Sequence, residues 1–293
     1  MTSSSRKVKD ALLRLAEEVW ALGFTIAGRA ARPRVERWSS AGGQRALVIA
    51  PHPDDEAIGC AGAIVRHKQC GDEVGVVFVS DGRRSRALGL GADEMARRRR
   101  EEAARGARVL GVDWFEWLGL REGEWDPAQL DAPLMPLLRR FAPQVIYAPS
   151  RIDFHPEHRR VAHALARLLD AGQVAPALVR VVQVQVPLTP VLTNLILDST
   201  AITPSLTDVL KEYPTQRASL GAAHRLRRYA ACYYGAGKSI EEFWQLSARE
   251  YARLHQADPQ GWTGGRFRSL RQRSFSDPLA YLIGWRERKR LKS

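Results

Sequence analysis

Two short segments of this 293-residue sequence concentrate the residue types that bind metal ions and move protons. The first is Pro51-His52-Pro53-Asp54-Asp55-Glu56, the second Asp153-Phe154-His155-Pro156-Glu157-His158. Carboxylates packed this densely raise one another's pKa if buried together, unless a cation lies among them. A divalent metal removes that repulsion. Zinc accepts imidazole nitrogen and carboxylate oxygen, and a catalytic site uses three protein ligands plus water. Two histidines and one carboxylate from the two segments supply such a set, which ferrous iron or cobalt also suits. Pro53 stiffens the first segment, so that His52 and one aspartate can converge on one point. The other aspartate then stands where a general base is needed, beside water made acidic by the metal and aimed at a carbonyl. The leftover imidazole of the second segment, if protonated, would stabilise an oxyanion or protonate a leaving amine.

The elements that must carry these segments follow from hydrophobic patterning. Ala46–Ala50 and Val145–Ala148 are short apolar runs directly before the two segments, as expected of buried parallel strands. Val74–Val79 is a third such run, and 179–186 and 192–197 are read as two more strands. Helices are expected over 57–69, 93–110 and 158–170, with Gly71 and Gly111 closing the first two. Alternation of this kind implies right-handed βαβ units and a parallel sheet with helices on both faces. Ligands of open α/β sheets bind at the carboxyl ends of the strands, where both segments fall.

Leu12, Leu15, Val19, Leu22 and Ile26 are spaced by three and four, predicting an amphipathic helix over 8–28. Residues 29–45, rich in Arg, Ser, Gly and Pro, read as a linker. The net charge of +13 is uneven: residues 1–45 carry +5, residues 266–293 carry +7, and the stretch between them carries +1. Cationic ends of this kind suit anionic surfaces. The apolar Pro278–Trp285 run followed by Arg286–Lys292, together with the N-terminal helix, suggests peripheral contact with an anionic membrane. Helix-turn-helix, RNP-like and zinc-finger patterns are lacking, so no nucleic-acid partner is expected. Cys60, Cys70 and Cys232 are widely spaced, which favours neither disulfides nor a thiolate site and fits a reducing, cytoplasmic setting. A signal peptide or membrane span is not expected, and oligomeric state is not legible.

The two segments in this order resemble the LmbE/PIG-L family of zinc-dependent N-acetylglucosaminyl deacetylases. Arg99-x-x-Glu102, Leu110-Gly111-Val112, Leu210-x-x-Tyr213-Pro214-Thr215-Gln216 and Ile240-Glu241-Glu242-Phe243 extend the likeness over about residues 46–245. The resemblance implies a Rossmann-like fold and hydrolysis of an N-acetyl amide on a glucosamine-type sugar. It implies zinc ligands at His52, Asp55 and His158, a general base at Asp54, and an oxyanion-stabilising or proton-donating imidazole at His155. Asp153 would hold an imidazole in its tautomer, and Glu56 would stabilise the start of the helix that follows. Two positions depart from the family. Glu157 stands where Asp is usual, and Arg83 follows Ser80-Asp81-Gly82 where an acidic residue is common. Arg83 and Arg84 are therefore candidates for holding an anionic group of the substrate.

The organisation expected is a basic helix and linker over 1–45, an LmbE-like deacetylase domain over 46–245, and a helical, basic extension over 246–293. The leading function is metal-dependent removal of an N-acetyl group from an amino sugar, free, lipid-linked or anionic. Competing readings are an amidase for a thiol-conjugated sugar amide and a nucleic-acid-binding protein with a vestigial metal site. A nucleotide-binding Rossmann domain is disfavoured, because carboxylates replace the G-x-G-x-x-G expected after the first strand. His67, His163, His224 and His255 read as structural, and of Arg97–Arg100 most are expected on a solvated face. Trp114, Trp117 and Trp125 are read as core.

Overall fold

The computed structural model describes residues 3–153, 155–172, 177–184 and 187–256, together with Lys289. The strands are β1 (Glu36–Arg37), β2 (Arg45–Ala50), β3 (Glu73–Ser80), β4 (Trp114–Leu120), β5 (Val145–Ala148), β6 (Leu178–Val182), β7 (Leu195–Asp198) and β8 (Ile240–Ser247). Among the described residues they form one sheet in the order β1-β7-β8-β6-β5-β2-β3-β4. Strands β2 to β6 run parallel, and β8 lies antiparallel between β6 and β7. The sheet is thus mostly parallel, as expected, with one reversed strand.

Alternate residues of β2 divide the core in two. Ala46, Val48 and Ala50 pack with α2 (Asp55–Gln69), α3 (Ala92–Leu110) and α7 (Leu206–Leu210). Leu47 and Ile49 pack with α4 (Asp131–Phe141), α5 (Pro156–Asp170) and α9 (Ala248–Gln256). Both faces of the central strands are dry, so these strands read as continuous apolar runs. One-residue registers such as Val48↔Val76 and Val48↔Tyr147 bring the ends of β2 and β5 side by side. The two polar segments therefore emerge at the same edge.

Several boundaries differ from the sequence reading. The expected strand 179–186 is Leu178–Val182, with 185–186 outside the described residues. In place of a strand from 192, a helical turn α6 (Thr189–Leu192) precedes β7. The 29–45 segment is not wholly a linker: α1 (Ser3–Ala31) runs into it, and Glu36–Arg37 pairs in parallel with Leu195–Ile196. Trp38 then donates from Nε1 to the Tyr147 hydroxyl at 2.9 Å, and Arg180 Nη1 donates to the same oxygen at 2.7 Å. His67 bridges that hydroxyl (3.0 Å) to Asp72 (2.6 Å), so it is a structural histidine satisfied on both nitrogens.

Helix α1 packs with the face opposite to the one its periodicity advertised. Ala21 and Phe24 are buried against Tyr229 and Tyr233 of α8 (Leu220–Tyr234), whereas Leu12, Leu15, Val19, Leu22 and Ile26 are exposed. Gly28 is required at this contact, since a Cβ there would lie 1.8 Å from the Tyr233 carbonyl oxygen. Among the described residues no helix is long and apolar enough to cross a membrane. The Pro278–Lys292 run lies outside the described residues, apart from Lys289.

Candidate metal centre

The chain leaves β2 through Pro51 and reaches Asp54, whose backbone is left-handed at φ 113°. A non-glycine residue holds that conformation only where its surroundings impose it. Here they do. Glu56 Oε2 accepts from the Asp54 amide at 3.1 Å, and Arg99 Nη2 donates to Asp54 Oδ1 at 2.8 Å and to the Pro53 carbonyl. Glu56 is itself held by the Tyr213 hydroxyl, which donates to Oε1. The turn lets Asp55 fold its carboxylate back, so that Oδ2 accepts from the His52 amide at 2.8 Å. From the other strand end, His155 caps α5 by accepting from the Glu157 amide at Nδ1 (3.3 Å), and His158 lies one turn into the helix.

Three ligand-type atoms converge. His52 Nδ1 stands 3.2 Å from His158 Nε2 and 3.2 Å from Asp55 Oδ2, and His158 Nε2 stands 3.1 Å from Asp55 Oδ2. All three side chains are buried. Tetrahedral bonds of about 2.1 Å place ligand atoms about 3.4 Å apart, so the triangle matches the donor spacing of a zinc site. His155 also approaches: ligand atoms of His52, His155 and His158 all lie within 4.8 Å of one another. A second ligand set, three histidines, is therefore available from the same residues. Asp153 Oδ2 holds His158 Nδ1 at 2.9 Å, which leaves Nε2 to face the triangle.

Electrostatics are consistent with a cation at this point. Burial alone would lower the His158 pKa, but the Asp153 and Asp55 carboxylates outweigh it and raise it well above the ordinary value. Burial likewise opposes a proton on His52, and Asp55 and Glu122 reverse the balance. Without a metal, protons must supply the positive charge that three converging donors require. Asp55 is driven up by burial but held well below the carboxylate range by His158 and His52. Asp54, with burial dominant over the pull of Arg99, is raised to about 7. His155 is pushed down to about 3 by burial, with His158 and His52 adding to it, which favours a neutral ring.

The remaining sequence candidates are placed as follows. Glu157 is buried, and its longer side chain reaches the 121–126 loop, accepting from the Gly123 amide at 3.2 Å and from Trp125 Nε1. It also pairs with Arg160 at 2.7 Å. The guanidinium of Arg83 is paired with Asp81 (2.6 Å) and Asp93 (3.1 Å). Arg84 is exposed beside Gly123, where a Cβ would come within 2.2 Å of its guanidinium. The tryptophans pack: Trp114 edge-on to Phe141, Trp117 against Phe78, and Trp125 under the loop held by Glu157.

Some residues at the centre were not assigned from sequence. Glu122 Oε1 lies 3.5 Å from His52 Nε2, an ion pair when the ring is protonated and too long for a firm hydrogen bond. Its other oxygen accepts from the Arg84 amide at 2.9 Å, and its own amide donates to Asp81 at 3.1 Å. An acidic residue followed by glycine at the carboxyl end of β4 was the available signal, had the Trp-rich β4 been read as a strand. Arg99 and Glu102 turn inward while Arg97, Arg98 and Arg100 do not. Glu102 accepts from the Thr215 amide (3.2 Å) and hydroxyl (2.5 Å), pinning the Pro214–Ser219 turn over this edge.

Part of the chain is similar to known proteins. Residues 47–169 match the family model described as PIG-L: GlcNAc-PI de-N-acetylase. A diacetylchitobiose deacetylase of Thermococcus kodakarensis is 31% identical over 121 residues, 40% of this chain and 45% of that protein. A 1D-myo-inositol 2-acetamido-2-deoxy-alpha-D-glucopyranoside deacetylase of Kineococcus radiotolerans is 26% identical over 161 residues, 43% of this chain and 45% of that protein. The matched part thus spans less than half the length of each of these curated relatives. Among solved structures, an N,N'-diacetylchitobiose deacetylase from Pyrococcus horikoshii superposes with a TM-score of 0.60 at 25% identity, covering 71% of this chain and 85% of that one. Both polar strand ends that converge here lie within residues 47–169, the part of the chain that matches the PIG-L (LmbE-like) family model.

Proposed function

We propose that this chain is a metal-dependent hydrolase that removes the N-acetyl group from an N-acetylglucosamine-type amino sugar. The observation that carries the reading is the buried triangle of His52 Nδ1, Asp55 Oδ2 and His158 Nε2, with edges of 3.1–3.2 Å, beside the Asp54 carboxyl. Relatives named as deacetylases of acetylated amino sugars favour this substrate class. His52, Asp55 and His158 would hold the ion, zinc by donor set, with iron or cobalt also suited. Bound there, zinc would supply a Lewis acid that acidifies water and polarises the amide carbonyl.

The chain's own groups divide the remaining work. Asp54, oriented by Arg99 on Oδ1, takes the proton of the attacking water and returns it to the leaving amine. The neutral His155 ring donates a hydrogen bond to the oxygen on which charge develops. Asp153 fixes the His158 tautomer, and Glu157 holds the loop that brings Glu122 to His52. Burial of the whole set lowers the local dielectric and strengthens each of these interactions.

The test is acetate release from N-acetylglucosamine as free, nucleotide-linked and lipid-linked sugar, by the wild type and by Asp54→Asn and His52→Ala variants. The expected result is release that depends on Asp54 and disappears together with bound metal when His52 is removed. Stoichiometric metal without release from any sugar would redirect the reading to another amide, including a thiol-conjugated sugar. Protein that takes up no metal would overturn it.

A further inference from the structure

The exposed side of α1 is an apolar stripe without a partner in the described structure. Leu12, Leu15, Val19, Leu22 and Ile26 are each 59–64% exposed, and Ala16, Gly23 and Ala30 line the same side in the open. This is five large apolar side chains in a row on one helix, where soluble surfaces scatter such residues singly. The opposite side is fully engaged. Phe24 stacks on Tyr229 at 5.1 Å between centroids, and Gly28 lies against the Tyr233 backbone. Among the described residues the stripe is thus left without a partner.

Charge is sorted around it. Glu17 and Glu18 turn toward α8 and pair with Arg225 (3.2 Å) and Arg228 (2.5 Å). Arg14 and Arg29 remain exposed on the helix, and Arg6, Lys7 and Lys9 precede them in its first turns. Two of the three acidic residues of α1 are thus neutralised locally, while Arg14 and Arg29 stay exposed beside the stripe. An apolar helical face with a basic rim is the pattern of a helix lying in a membrane interface. A second copy of the chain would meet the same basic rim, at +13 overall, with repulsion.

Position adds to this. Helices α1 and α8 run in the same direction, with Glu17 beside Arg225 and Gly28 beside Tyr233. The start of α8 follows the Pro214–Ser219 turn, whose Thr215 and Gln216 hold Glu102 and Ser85 at the edge of the candidate metal centre. The N-terminal half of the stripe accordingly extends toward the start of α8 and the turn that precedes it.

We propose that the Leu12–Ile26 face of α1 docks on an anionic lipid bilayer. The five apolar side chains enter the headgroup boundary and Arg14 and Arg29 engage anionic headgroups, with none of the described helices crossing the bilayer. Docking of this face does not depend on what the site hydrolyses.

The experiment is flotation of the full chain with vesicles of phosphatidylcholine alone and of phosphatidylcholine mixed with phosphatidylglycerol, at low and high salt. Wild type is expected to float with the mixed vesicles at low salt, and much less with neutral vesicles or at high salt. Leu15→Glu/Leu22→Glu abolishes flotation, and Arg14→Gln/Arg29→Gln lowers the partition coefficient roughly 30-fold, the effect of two basic charges near the surface. All four positions are exposed, so thermal melts of the variants stay near wild type. Absence of flotation overturns the proposal, as does flotation that survives Leu15→Glu/Leu22→Glu, which would place binding on basic residues elsewhere. Vesicle-free sedimentation showing a dimer that the same double variant dissociates also overturns it, making the stripe a seam between copies.

Discussion

Arg99 Nη2 lies 2.8 Å from Asp54 Oδ1 and also donates to the Pro53 carbonyl, so one guanidinium fixes both the side chain and the backbone of the candidate base. Gly82 makes room for it, since a Cβ there would come within 2.5 Å of Arg99 Nη1. The Asp81-Gly82 turn after β3, helix α3 and the loop after β2 are thereby coupled at a single side chain. Replacing Asp54 by Asn is expected to lower kcat by about 10²- to 10⁴-fold, the usual share of a general base. Arg99→Lys keeps the charge but loses the fork, and a loss of about 10- to 100-fold in kcat is expected from one charge-assisted hydrogen bond. Metal content, read by mass spectrometry, should stay stoichiometric in both variants. Full activity in Arg99→Lys would remove its positioning role.

Asp153 Oδ2 holds His158 Nδ1 at 2.9 Å, so it would act on a bound metal through that ring rather than by touching it. Asp153→Asn is expected to weaken metal affinity by about 10- to 100-fold, because the imidazole loses the acceptor that sets its tautomer and basicity. Competition against a chromophoric chelator measures this. Asp72→Asn, which disturbs the comparable contact to the structural His67, serves as the control and should leave affinity unchanged. Equal affinities for wild type and Asp153→Asn would show that Asp153 does not tune the site.

Arg227 and Glu241 form a buried ion pair at 2.6 Å beneath the start of α2. Glu241 also accepts from the Gly62 and Ala63 amides at 2.7 and 2.9 Å, just past the break in the helix at Cys60. Arg227→Met leaves a buried carboxylate without its counter-charge and should destabilise the fold by about 3–5 kcal/mol. Adding Glu241→Gln removes the orphaned charge while keeping an acceptor for the amides, so much of the loss should be recovered. Urea denaturation of the single and double variants decides, and strict additivity would deny the coupling.

His255 gives a pH dependence away from the metal centre. Burial pushes its pKa down to about 4, and its hydrogen bonds require a neutral ring: Nδ1 donates to the Tyr251 carbonyl at 2.8 Å, and Nε2 accepts from the Arg151 amide at 3.0 Å. The unfolded chain takes up this proton near pH 6.5 and the folded chain only near 4. The contribution of His255 is therefore intact above about 6.5 and declines as pH falls toward 4, by up to about 3 kcal/mol. Wild type should lose stability relative to His255→Gln across that window in chemical denaturation. A difference that stays constant with pH would rule this out.

The local part of the site was legible because it is written in contiguous residues. Apolar runs of four to six residues ending in His-Pro-Asp-Asp-Glu and in Asp-Phe-His-Pro-Glu-His specify a buried strand followed by a polar turn, and neighbouring parallel strands put both turns at one edge. The helices that start there were visible for the same reason. Strand β4 was hidden because its sequence, WFEWLGL, lies at a sheet edge and lacks the fully buried run of the inner strands. Strand β8 was quoted as a motif but not as a reversed strand, since hydrophobic pattern carries no direction.

What only the tertiary structure decided is which distant residues share a point. Glu122, Arg99 and Tyr213 reach the centre from three elements; Arg99 and Tyr213 stood out in the sequence only as members of motifs, and the sequence assigned none of the three to the centre. The same limit explains α1. Its period of three and four established that an apolar face exists, but Phe24 and Ala21 won the contact with α8 and left the leucines outside. Sequence determines the chemistry available at each strand end and the amphipathic faces of each helix. Packing selects among the faces, because burial energy depends on the shape and partner opposite and not on hydrophobicity alone.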